Sequence, residues 1–155
     1  TIVASEMSTV VALNWTVMDW SWPALPAIKQ GQDVKALVLL SPMPKYKGLS
    51  AEGLTNSPVF RKPFSVLLVG GSKDKDYCGK LYDNLVKRHP IPPPDQAEAQ
   101  QSLYYVDLKT SLQGTKLLDP SLDVHTAIGR FIDRRLVKKA ADFPWSKRVN
   151  PLIGE

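Results

Sequence analysis

Residues 64–76 read FSVLLVGGSKDKD, and this stretch decides the fold. Phe64 to Val69 is an apolar run of strand length; Gly70-Gly71 breaks it, and Ser72-Lys73-Asp74 leads into a helix expected from about Asp76 to Arg88. A strand that turns directly into a helix is half of a crossover, and crossovers join parallel strands. Upstream, Val34 to Leu40 is broken only by Lys35 and is apolar enough for a strand covered on both faces, ending at Ser41-Pro42. Thr1 to Ala4 forms a short β-branched strand, followed by a helix from Thr9 to Trp20 on which Val10, Leu13, Val17 and Trp20 recur at helical spacing. Pro23 and Pro26 close that helix, and Gln30 to Asp33 makes a polar turn.

Between the second and third strands, Met43 to Lys62 reads as a surface excursion with Lys45 and Lys47 around Tyr46, a short helix capped by Ser50, and Pro58. Pro63 leads back into the sheet. Downstream, Ile91-Pro92-Pro93-Pro94 and Asp95 to Gln101 form a linker or short helix, Leu103 to Leu108 a strand, and Leu122 to Val137 an amphipathic helix with Val124, Ile128, Phe131, Ile132 and Leu136 along one side. The order β-α-β-β-α-β-α predicts an α/β fold with a parallel sheet and right-handed crossovers, whose ligand sites lie at the carboxyl ends of the strands.

A chain of 155 residues has the length of one domain, here divided into 1–137 and a basic tail, 138–155. Its 43% hydrophobic and 23% charged residues fit a soluble globular protein, and no apolar run approaches the ~20 residues of a membrane span. The opening residues already read as a buried strand with no charged leader before it, so the true N-terminus is expected upstream of Thr1. Cys78, the lone cysteine, excludes an internal disulfide and reads as structural. The net charge of +5 is concentrated in Arg130, Arg134, Arg135, Lys138, Lys139, Lys147 and Arg148, set against Asp133 and Asp142; these read mostly as the solvated face of the last helix and its tail. No aromatics interleave with them and no reading module is present, so no nucleic-acid partner is expected. Neither a metal-ligand cluster nor a phosphate-binding glycine fingerprint occurs, so neither metal nor cofactor is expected.

Three strand ends remain for function: Ala4 to Ser8, Gly70 to Asp76 and Lys109 to Gly114. A sharp strand-to-helix turn needs small residues two before and two after its apex. Glu6, flanked by Ala4 and Ser8, meets that condition, whereas Ser5 would sit between Val3 and Met7. Ser8 reads as a helix-entry residue with its hydroxyl bonded locally. Asp74 reads as a helix cap or a partner for Lys73 and Lys75, with Asp76 as the alternate cap. Trp15, Trp20 and Trp22 read as packing anchors.

Taken with the strand ends Leu40-Ser41-Pro42, Gly71-Ser72-Lys73-Asp74 and Gln113-Gly114, this order resembles the C-terminal half of an α/β hydrolase, beginning at the nucleophile-elbow strand of an incomplete domain. The resemblance covers nearly the whole chain and rests on the ordered strand ends, because the Gly-x-Ser-x-Gly signature is absent. It implies that Glu6 stands at the nucleophile position, Asp74 at the acid position and Gln113 at the histidine position. Serine attack needs a hydroxyl and an imidazole to take its proton; Glu6 and Gln113 supply neither. The expectation is a non-catalytic protein of this fold that binds a small molecule or a protein partner, including a second copy through the open edge of the first strand. The alternative is a hydrolase of ester or alkyl substrates using Glu6 or an upstream residue. His125 is the candidate for a displaced base; His125 and His89 both read more simply as surface or helix-packing residues. The excursion 43–62 falls where the family often inserts a cap and is too short for a separate cap domain, so any pocket would be open.

Overall fold

A computed structural model describes residues 1–21, 32–62, 64–89 and 91–139. Four parallel strands, β1 (Ile2–Ser5), β2 (Ala36–Leu40), β5 (Ser65–Gly70) and β6 (Leu103–Asp107), form one sheet in that spatial order. The register sets Val3 opposite Val38, Val38 opposite Leu67, and Leu67 opposite Tyr104. Helices α1 (Met7–Ser21) and α2 (Lys75–Val86) follow β1 and β5, a short α3 (Ala97–Gln100) precedes β6, and α4 (Val124–Ile132) completes the α/β arrangement.

The two middle strands are buried along their whole length because the sheet has a core on each face. Successive side chains of a strand point to opposite faces. Leu37, Leu39, Val66, Leu68 and Leu103 accordingly meet Val10, Leu13, Leu81, Leu85, Phe60 and Phe64 on one side. Ala36, Val38, Leu40, Leu67 and Val69 meet Leu117, Val124 and Phe131 on the other. At the β5–α2 crossover the approach is so close that a Cβ on Gly70 would lie 2.6 Å from the Cys78 Sγ. Cys78 is fully buried there, and its thiol is pushed up to about 12 by burial, with Asp74 and Asp107 adding to the effect.

Buried hydrogen bonds fix the return from α1 to β2. The Asp19 carboxylate accepts the backbone N–H groups of Asp33 (2.8 Å) and Val34 (3.0 Å), and the Trp20 indole N–H donates to the Val34 carbonyl at 2.8 Å. Trp20 is thus an anchor, as its spacing indicates. Trp15 is not: it is 51% exposed and belongs to a line of bare apolar side chains, Met7, Val11, Trp15 and Met18, on the helix that follows the edge strand β1. Trp22, Pro23, Pro26, Pro63, Lys147 and Arg148 lie outside the described residues, as does all of the basic tail after residue 139.

The excursion departs from the expected short capped helix. It begins as a two-stranded hairpin, β3 (Lys45–Tyr46) with β4 (Leu49–Ser50), and continues as 3-10 turns at Leu54–Asn56 and Pro58–Arg61. Ser50 lies in β4, and its hydroxyl accepts the Glu52 N–H at 3.1 Å; the first turn is entered through Gly53 with φ 81° and no side-chain cap. Lys45 pairs with Glu52 at 3.0 Å.

The last helix also differs from an uninterrupted run. A 3-10 turn, Pro120–Leu122, leads into α4, and the helix widens into a π turn over Asp133–Val137. Arg135 lies in that widened turn, 7% exposed, and donates to the Ser65 hydroxyl at 2.9 Å. It is therefore a buried residue tying the helix to the start of β5, a correction to its reading as part of the solvated face. Among the described residues no helix is long and apolar enough to cross a membrane.

Candidate functional site at the strand ends

The carboxyl ends of all four sheet strands converge on one polar cluster. The chain turns from β1 to α1 at Glu6, with φ 48°, a left-handed conformation that costs a side-chain-bearing residue roughly 1–2 kcal/mol. The turn is held by Glu6 N–H donating to the Leu40 carbonyl (2.9 Å) and Thr9 N–H donating to the Glu6 carbonyl (3.1 Å). Ser8 behaves as a local bonding residue: its hydroxyl accepts Ser5 N–H at 2.9 Å and donates to Ser5 carbonyl at 2.7 Å.

Asp74 stands at the start of α2 without capping it. Its carboxylate faces the other strand ends, accepting the Ser41 hydroxyl (2.6 Å) and Gly71 N–H (3.3 Å) on Oδ2 and the Gln113 side-chain amide (2.6 Å) on Oδ1. Asp74 forms no lysine ion pair among the described residues; Lys75 pairs instead with Asp107 at 3.4 Å. An ionised carboxylate only accepts hydrogen bonds, so Gln113 must present its NH₂ group to Asp74. The amide nitrogen is thereby committed as a donor.

Two glycines let the loop after β6 approach. A Cβ on Gly71 would lie 2.5 Å from the Leu112 carbonyl oxygen and 2.8 Å from that of Thr110, so the backbone before Gln113 runs directly over Gly71. At Gly114, with φ 61°, a Cβ would lie 2.6 Å from the Glu6 carboxylate. Glu6, Asp74 and Gln113 thus come together in space, with Gly114 between Glu6 and the rest.

Ser41 joins them, although the sequence marks it only as a strand end. It is 2% exposed and also left-handed, at φ 46°; its hydroxyl donates to Asp74 and accepts Gly114 N–H at 2.7 Å. Ser-Pro immediately after a wholly apolar strand is the signal that could have found it, since a polar side chain at the end of a covered strand is itself covered and must find hydrogen-bond partners. Its burial and its fully used hydroxyl make it a brace for Asp74 and Gly114.

The histidines lie elsewhere. His125 is exposed on α4, 3.6 Å from Asp123, and no hydrogen bond or ion pair links it to the cluster. His89 follows α2 and is 6% exposed, packed edge-on against Phe64, with Nδ1 3.1 Å from the Ser102 hydroxyl. Burial lowers its pKa to about 4. The cluster therefore offers an outward-facing carboxylate at Glu6, a saturated carboxylate at Asp74 and an amide at Gln113, but no imidazole. Among the described residues, no group of three or more His, Cys, Asp or Glu side chains is gathered to hold a metal ion. No protein-family model, curated protein or solved structure matches this chain.

Proposed function

We propose that the chain is an α/β-hydrolase-type scaffold without hydrolytic activity, in which Glu6, Asp74 and Gln113 occupy the positions of nucleophile, acid and base. The observation that carries this reading is the 2.6 Å hydrogen bond from the Gln113 amide to Asp74. It has the geometry by which an acid orients a histidine, but the group held there has no lone pair basic enough to take a proton near neutral pH. Attack by Glu6 on an ester or alkyl carbon would leave a covalent ester that no neighbouring base could help water to cleave. The role left to the cluster is recognition, with Glu6 as its exposed hydrogen-bond acceptor.

Turnover of short-chain aryl esters tests this reading, measured on the unaltered chain beside Glu6→Ala. No turnover above buffer is expected from either. Turnover by the unaltered chain that disappears in Glu6→Ala would make Glu6 a nucleophile and establish the alternative, a carboxylate-dependent hydrolase.

A second reading, as a protein-interaction element, is favoured by the open edge of β1 and the bare line Met7, Val11, Trp15 and Met18 on α1. The only charged residue of α1, Asp19, is buried, so this face is uncharged in a chain carrying a net +5. Two copies can meet there without like-charge repulsion. Antiparallel pairing of β1 with its symmetry mate would continue the sheet and bring the two α1 faces together on one side. Sedimentation of the 155-residue chain should show a dimer that Trp15→Glu dissociates; a monodisperse monomer at micromolar concentration would exclude this interface.

A further inference from the structure

Away from the strand-end cluster, a cleft of about 370 Å³ lies between the excursion and α2, lined by Pro44, Ala51, Thr55, Tyr77, Lys80 and Leu81, with Glu52, Gly53 and Asn84 completing its wall. It shares no lining residue with Glu6, Ser41, Asp74 or Gln113, and its volume falls in the range of small-molecule sites. Tyr77, Lys80, Leu81 and Asn84 reach it because they fall at positions i, i+3, i+4 and i+7 of one helix and share a face. Ala51 and Leu81, 2% and 3% exposed, supply buried apolar surface.

The polar groups of this cleft are unbalanced. Thr55 is 4% exposed and lines the cleft, and its hydroxyl has no hydrogen-bond partner among the described residues. The Tyr77 hydroxyl likewise has no partner among the described residues. Burial, with Glu52 and Cys78 adding to it, pushes Tyr77 up to about 12, so the phenol stays a donor at neutral pH. Lys80 forms no ion pair among the described residues, whereas Glu52, the one acidic lining residue, is already paired with Lys45 at 3.0 Å. Three donors without protein partners among the described residues, one of them a cation, therefore share a cleft with an apolar floor.

We propose that this cleft is a binding site for a small organic monocarboxylate, whose carboxylate is received by Thr55, Tyr77 and Lys80 while its hydrocarbon part lies against Ala51, Leu81 and Pro44. The ligand is an anion because Lys80, which only donates, has no ion-pair partner among the described residues, while Glu52, the single carboxylate in the wall, is paired with Lys45. Its body is small: a volume of about 370 Å³ has room for a phenyl ring on a two- or three-carbon chain. The site does not depend on the hydrolase-type reading of the strand ends, and it survives if that reading fails.

The test is titration of the full chain with 3-phenylpropionate, followed by calorimetry and by amide chemical shifts, beside the neutral 3-phenylpropionamide and the cationic 3-phenylpropylamine. The carboxylate should bind saturably, with shifts centred on Gly53, Thr55 and Lys80, and both analogues should bind at least tenfold more weakly. Thr55→Val, nearly isosteric, and Lys80→Met, at an exposed position, should each weaken the carboxylate about 10- to 150-fold, the range expected for one hydrogen bond to a charged group. Amide or amine binding as tight as the acid, shifts outside the cleft, or unchanged affinity in both variants would overturn the assignment, as would the absence of saturable binding.

Discussion

Adding one methyl group at Gly71 should unsettle the whole strand-end cluster. An alanine Cβ there would meet the carbonyl oxygens of Leu112 and Thr110 at 2.5 and 2.8 Å, whereas carbon and oxygen rest at about 3.3 Å or more. Both obstacles are backbone, so relief requires the 110–112 segment to move by the better part of an ångström. That movement strains the 2.8 Å hydrogen bond from Ser72 N–H to the Thr110 carbonyl and draws Gln113 away from Asp74. Overpacking of this kind costs about 1–3 kcal/mol, and a weakened hydrogen bond adds about 1 kcal/mol. The expected loss for Gly71→Ala is therefore about 2–4 kcal/mol, or roughly 5–15 °C in Tm for a domain of this size. Gly79→Ala is the control: Gly79 lies inside α2 with nothing within 4 Å of a new Cβ, and alanine should stabilise the helix by about 0.5–1 kcal/mol. Urea unfolding observed by tryptophan fluorescence would move the two midpoints in opposite directions with m unchanged. A Gly71→Ala midpoint equal to that of the unaltered chain would refute the close approach of the loop, and with it the geometry assigned to Gln113.

Substitutions at three further positions test other contacts. Burial lowers the His89 pKa to about 4, below its unfolded value near 6.5, so its contribution is complete above about pH 6.5 and is lost as pH falls toward 4. The imidazolium carries a proton on both ring nitrogens in a buried site where Nε2 has no partner, and the full loss amounts to about 3 kcal/mol; the stability difference between the unaltered chain and His89→Gln should shrink over that interval, and a pH-independent difference would contradict it. Asp19→Ala leaves the Asp33 and Val34 N–H groups without their acceptor and should cost about 2–4 kcal/mol, read as a lowered urea midpoint, while Asp19→Asn, which keeps an acceptor oxygen, should cost less. Ser41→Ala removes the hydroxyl that links Asp74 to Gly114 N–H and should destabilise by about 1–3 kcal/mol in the same assay, with Ser41→Thr failing to restore full stability because a β-branched residue is strained at the left-handed φ of 46°.

The sheet is legible in the sequence because β2 and β5 are short runs, apolar apart from Ser65 and closed by Ser-Pro and Gly-Gly, and burial on both faces is the physical cause of that pattern. The strand-to-helix turn at Glu6 can be read from its small flanking residues. The hairpin at Lys45 to Ser50 cannot, because two-residue strands show no alternation and Gly48 signals a turn without naming what it joins. Arg135 is misread since charge patterning cannot tell which arginine faces Ser65 once the helix widens into a π turn. Trp15 is misread for the opposite reason: helical spacing shows that a side chain has neighbours on its face without showing that anything lies beyond them. Ser41 escapes because its partners are 33 and 73 residues away in sequence, a separation at which no local pattern operates.

That separation bears on how the molecule is assembled in time. The bonds Ser41–Asp74, Asp74–Gln113 and Gly114–Ser41 span successive crossovers, and none can close until the strands that carry them have paired. Loops of this length must be closed before their contacts offer any return, and parallel pairing of distant segments is correspondingly slow. The cluster is therefore among the last features to form during folding, and solvent protection of the Gly114 amide in a pulsed hydrogen-exchange experiment should appear only with the final, slowest phase.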